Sequence, residues 1–151
     1  MYKKSLTHYV AKYIIDVLFC VSLICTLIVP FVSKTIFNMI GYLDKSYMIA
    51  FTIILFVSGG LCSYILYKLR QMYKSLLIGN PFTDKNVGHF RKMAVACAII
   101  SAIYIAKCIF MFTYATVVIA AIFAVGCLFC LTLKDLFKQA INYKIENELT
   151  I

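Results

Sequence analysis

The stretch MAVACAIISAIYIAKCIFMFTYATVVIAAIFAVGCLFCLTL, from Met93 to Leu133, carries one charged residue, Lys107, in 41 positions. As a single helix rising 1.5 Å per residue it would be about 60 Å long, twice the roughly 30 Å of bilayer hydrocarbon. It therefore has to fold back on itself as two membrane spans, residues 93–112 and 114–133. Length alone places the corner near Thr113, since neither Gly nor Pro marks it.

Working outward, two further runs have the required length. Tyr13 to Ser33 is interrupted only by Asp16 near its start, and Tyr47 to Tyr67 holds no charge. Hydrophobic residues make up 64% of the 151-residue chain and charged residues 14%, against about 45–50% and 25% in soluble domains. A soluble globule of this size could not hide so much apolar surface. Intrinsic disorder, collagen, coiled coil and a small disulfide scaffold each need a composition this chain lacks. The apolar runs are continuous rather than alternating, which indicates helices and not barrel strands. The first run follows Lys3 and Lys4 as a secretory signal would, but it is too long, contains an acid and lacks a small-residue cleavage site. It reads as a retained span. The expectation is an all-α integral membrane protein, one domain of four transmembrane helices over residues 13–33, 47–67, 93–112 and 114–133.

Lysine and arginine accumulate in loops that stay in the cytoplasm. Twelve of them lie before the first span, between the second and third, or after the fourth, whereas only Lys34 and Lys45 fall in the other segments outside the spans. Both termini are therefore expected in the cytoplasm. Tyr13, Tyr47, Tyr67 and Tyr114 sit at the expected span ends, where amphipathic rings favour the headgroup layer. This distribution also accounts for most of the net charge of +9. Direct nucleic-acid binding is not expected, and attraction to anionic membrane lipids is the simpler reading.

Residues 68–92 read as helix, corner, helix, a cytoplasmic hairpin extending the second and third spans. Leu69, Met72, Tyr73, Leu76 and Leu77 recur at three- and four-residue spacing, an amphipathic face. Gly79 is placed to end that helix, and Asn80-Pro81 prevents continuation. Thr83 can cap the next helix, whose first turn carries Asp84 at the positive end of the dipole. In the tail, residues 134–151, Leu136, Phe137, Ala140, Ile141 and Ile145 keep helical periodicity among Lys134, Lys138 and Lys144, so an amphipathic C-terminal helix is expected to lie along the headgroups or against the hairpin.

Gly79-Asn80-Pro81-Phe82-Thr83, then Asn86-Val87 and the basic Arg91-Lys92 entering an apolar span, resembles the central loop of the bacterial YoaS-like membrane proteins, domain-of-unknown-function family 2975. The closing Gln139 to Ile151, with Glu146-Asn147-Glu148 before Leu149-Thr150-Ile151, is similar to that family's final segment. The resemblance covers nearly the whole chain. It implies a bacterial cell-membrane protein with no agreed activity, and a small helix-turn-helix transcription regulator as partner. It supplies no catalytic residues. Asn80, Pro81, Phe82, Asn86, Glu146, Asn147, Glu148, Leu149 and Thr150 match the motifs and, with the basic Arg91 and Lys92, are the candidate partner-docking residues.

Other chemistries fare worse. Seven cysteines include Cys127-x-x-Cys130, but that pair lies in the inner half of its span, and residues 33–46 on the opposite side offer no second pair for electron relay. Within spans, thiols behave as small apolar packers. His8 and His89 lack carboxylates at metal-ligand spacing. No cofactor, metal or catalytic residue is expected. Asp16 and Lys107 are charges within spans, about 16 Å apart in depth and so not a pair. Each can reach an interface, Lys107 by snorkelling outward. Ala94, Ala98, Ala102 and Ala106 recur every four residues, and Gly59, Gly60 and Ser63 give the second span a smooth patch. Small residues let helices approach closely in lipid, so these two patches are expected to pack together, a homodimer face being the alternative. The favoured function is a non-enzymatic interaction or regulatory module. The alternative is a small oligomeric transporter or channel subunit in which Asp16 or Lys107 lines a path.

Overall fold

The computed structural model of the protein describes residues 6–39, 47–78, 82–110 and 112–149. They form four helices, α1 (Leu6–Met39), α2 (Met48–Ile78), α3 (Asp84–Phe110) and α4 (Tyr114–Leu149), each long and apolar enough to cross a membrane. Hydrocarbon offers backbone N–H and C=O groups no partners, so runs rich in Ile and Val, which favour strands in water, close their hydrogen bonds within a helix. The helices hold 34, 31, 27 and 36 residues, or about 51, 46, 40 and 54 Å. All exceed the hydrocarbon thickness, so each projects beyond it. The protein is a multi-pass membrane protein.

The links follow local chemistry. The carbonyl of Thr83 accepts from the N–H groups of Asn86 and Val87 at 2.9 and 3.3 Å, and Asp84 occupies the first turn of α3. At the other corner the helix stops at Phe110 and restarts at Tyr114, with the Thr116 N–H donating to the Thr113 carbonyl at 2.9 Å. The rings of Phe112 and Tyr114 meet edge to face there at 5.6 Å. Gly79, expected to end α2, lies outside the described residues. The amphipathic C-terminal segment continues α4 without a break.

Neighbouring helices pack in chain order, α1 on α2, α2 on α3 and α3 on α4. Each neighbouring pair is antiparallel: Asp16, Ser22 and Thr26 meet Arg70, Ser63 and Gly59 in turn, Ser58 and Ser75 meet Tyr104 and Asn86, and Phe90, Ser101 and Lys107 meet Phe137, Ala120 and Thr116. A small polar bond ties every pair. Ser22 and Ser63 share a hydrogen bond of 2.9 Å, Ser58 and Tyr104 one of 3.3 Å, and the Ser101 hydroxyl donates to the Ala120 carbonyl at 3.0 Å. Helices in lipid gain little from the hydrophobic effect, so such bonds, about 0.6 kcal/mol each on average, add to close packing as the glue.

α3 is the core helix. Its buried face includes Asn86, Phe90, Met93, Cys97, Ile100, Tyr104 and Lys107, alternating steps of four and three as in a left-handed helix pair. This corrects the expected packing of the small residues. Of the alanine stripe only Ala94 is buried, while Ala98, Ala102 and Ala106 face outward. A strict four-residue repeat turns about 40° around the helix at each step, so the stripe leaves the seam. Gly59 and Ser63 lie against Thr26 and Ser22 of α1, not against α3, and Gly60 has no neighbour at its Cβ position.

Candidate functional site

The ends of the bundle differ in charge. The start of α1, the end of α2, the start of α3 and the end of α4 come together at one end, which carries most of the basic side chains. Arg70 Nε lies 2.6 Å from Asp16 Oδ1, a contact of charges rather than an aligned hydrogen bond. The Arg70 guanidinium stands 5.8 Å from the Phe19 ring centroid, and the Lys68 ammonium about as far from Tyr64 and Tyr67, at 5.2 and 5.3 Å. Asn86 meets Ser75 and Phe90 meets Phe137, a register that sets Arg91, Lys92 and Lys134 near the level of Arg70. From there to Phe110 is about 28 Å of α3, close to one hydrocarbon thickness.

Beyond that level the basic end is aromatic. Phe137 of α4 packs against Phe82 and Phe90 at centroid distances of 5.3 and 4.9 Å. Phe82 remains 44% exposed, so a large apolar ring is offered outward among lysines. Beside it Leu69, Met72, Leu76 and Leu133 wall a largely apolar cavity of about 300 Å³. Arg91 and Lys92, both exposed, line a second groove of about 440 Å³ together with Leu61, Val95 and Ile99. Anions and apolar groups can be held side by side here.

The candidate docking residues divide. Phe82, Arg91 and Lys92 are exposed on the same end. Asn86 is not outward-facing: it is buried and donates to Ser75 Oγ at 3.3 Å, an internal tie between α2 and α3. Glu146 and Asn147 are exposed on α4 nine and ten residues past Phe137, with Glu148 and Leu149 the last helical positions. At 1.5 Å per residue they stand some 14–18 Å beyond the aromatic cluster, so they are not gathered with Phe82. Asn80, Pro81 and Thr150 lie outside the described residues.

Three arrangements were not visible in the sequence. Asp16 pairs with Arg70, which was assigned to the hairpin. Lys107 does not snorkel outward. It is buried, donates to Thr116 Oγ1 at 2.9 Å, and lies 5.4 and 5.9 Å from the ring centroids of Phe51 and Tyr104. A hydroxyl and two π faces solvate the ammonium locally, at the C-terminal end of α3 whose dipole favours a cation. Cys97 of α3 and Cys130 of α4 are both buried, and all the cysteines are free thiols. Among the described residues no three His, Cys, Asp or Glu side chains are placed to hold a metal ion. The inward position of polar residues on α3 was the available signal for its seam.

No curated protein matches the chain. No solved structure matches it either. Residues 7–151 match the family described as "Protein of unknown function (DUF2975)", and with four spanning helices and the Phe82-Thr83 and Arg91-Lys92 segments in place, the chain belongs to that family.

Proposed function

We propose that the protein is a non-enzymatic module of the bacterial cell membrane, both termini and the α2–α3 corner in the cytoplasm, that docks a small soluble regulator on its basic end. The partner that fits is a DNA-binding protein with an acidic face and an apolar side chain to set against the exposed ring. What supports this is one arrangement: Phe82, packed on Phe137 yet exposed, sits at the same basic end of the bundle as the exposed Arg91 and Lys92. Rim charges raise encounter rates and choose partners, while an aromatic anchor provides holding energy. Crosslinking in native membranes followed by mass spectrometry should recover a small regulator with the wild-type chain. Recovery should be lost with Arg91→Glu plus Lys92→Glu while membrane insertion persists. Undiminished recovery with that pair would count against docking at this end.

The transport reading draws on the burial of Lys107, since an ionisable side chain within a span is a functional candidate by default. Flux in reconstituted vesicles that disappears with Asp16→Asn or Lys107→Met would favour it over docking.

A further inference from the structure

Between α2 and α3, beyond the level of Arg70 and Arg91, lies a second kind of cavity at the basic end. It encloses about 330 Å³ and is walled by Gln71, Lys74, Ser75, Lys85, Asn86 and His89, a size within the roughly 300–1,000 Å³ of small-molecule sites. All six side chains carry N–H or O–H groups and none is a carboxylate. Lys74 and Lys85 are exposed cations at its rim, whereas His89 is 7% exposed and its Nδ1 has no hydrogen-bond partner. An unsatisfied polar atom that deep costs about 1–3 kcal/mol in a folded protein, and cationic Lys68, Lys85 and Lys92 bear on the same ring. The N–H groups of Asn86 and Val87 are already taken by the Thr83 carbonyl, so side chains rather than the helix terminus face the cavity. The acid of the corner, Asp84, is exposed and not part of the wall.

We propose that this cavity binds a phosphate group. Phosphate matches the wall in each respect: it accepts from many donors at once, bears the charge the lysines lack, and suits a cavity without carboxylates. Two sources share this chemistry. His89 lies three residues before Lys92, about 5 Å past the level where the apolar stretch begins, so the headgroup of an anionic phospholipid and a soluble phosphate from the aqueous side both reach it. The site is independent of protein docking, because it requires only the purified chain.

The test uses the full chain in nanodiscs of phosphatidylcholine. One arm measures retention of phosphatidylglycerol over phosphatidylcholine by native mass spectrometry. The other titrates inorganic phosphate and pyrophosphate, read by calorimetry and ³¹P line broadening. Lys74→Gln plus Lys85→Gln removes two exposed charges without touching the core. Binding in the responsive arm should fall at least about tenfold, since two charge-assisted contacts are lost. Lys134→Gln plus Lys138→Gln, an equal loss of charge on α4, should change it less than about twofold. Selective lipid retention alone identifies a headgroup, and phosphate or pyrophosphate binding identifies a soluble ligand; either supports the site. Equal losses in both variant pairs, or no binding in either arm, would overturn it.

Discussion

Two adjacent glycines show how finely α1 and α2 are fitted. A Cβ on Gly59 would lie 2.7 Å from Thr26 Oγ1 and 3.3 Å from its Cγ2, whereas one on Gly60 would meet nothing within 4 Å. Thr26 cannot simply turn away, because its hydroxyl donates to the Ser22 carbonyl at 2.7 Å. Gly59→Ala should destabilise the folded bundle by about 1–3 kcal/mol, as overpacking does. Gly60→Ala should be neutral within about 0.5 kcal/mol. Steric-trapping measurements in lipid would separate them, and adding Thr26→Ala to Gly59→Ala should restore most of the loss. Equal effects from both glycines would mean the helices are not this close. A similar asymmetry holds at Lys107. Thr116→Val keeps shape but leaves a buried ammonium without its 2.9 Å acceptor, whereas Lys107→Met removes the charge and keeps most of the volume. An unpaired buried charge is the worse defect, so the Thr116 variant should be the less stable of the two, by at least about 1 kcal/mol.

At the scale of elements, α3 shows what sequence can and cannot say in lipid. That α1 to α4 exist was legible from length between charges, because spanning hydrocarbon sets a minimum run. The break at residues 112–113 followed from the same arithmetic. Which face of α3 turns inward did not, because a helix that is apolar all round carries no amphipathic stripe. The evenly spaced alanines suggested one face, and the bundle uses another. The better guide was polarity: within the span Ser101, Tyr104 and Lys107 all lie on the buried seam, since in lipid it is polar groups that seek the interior. Ile100, fully buried, and Ala98, exposed, test the assignment. Ile100→Ala should destabilise by about 1–3 kcal/mol. This is less than the 2–5 kcal/mol of such truncations in water, because an unpacked helix still sits in hydrocarbon. Ala98→Leu should be tolerated within about 0.5 kcal/mol. The reverse order in thermal denaturation would put the seam on the alanine face.

At the scale of the molecule, one geometric constraint joins the helices to the proposals. Four antiparallel helices return the chain to the side on which it started, so the basic residues around α1, the α2–α3 corner and α4 gather without any long-range tie. Phe82, Arg91 and Lys92 could be named as candidate docking residues from sequence because they are local to that corner. The phosphate cavity could not, because Lys74 and His89 are brought together only by the α2–α3 register. The docking proposal places this end in the cytoplasm. Paired reporter fusions at Ile151 and between Met39 and Tyr47, one active only in the cytosol and the other only on the far side of the membrane, decide the matter. The cytosolic reporter should be active at Ile151 and silent in the other position, with the external one showing the opposite pattern. Lys34 and Lys45 against twelve basic residues on the other face make this strongly biased. Reversed activity would turn Phe82 and Arg91 away from every cytosolic regulator, while the phosphate cavity would still face lipid headgroups, now of the outer leaflet.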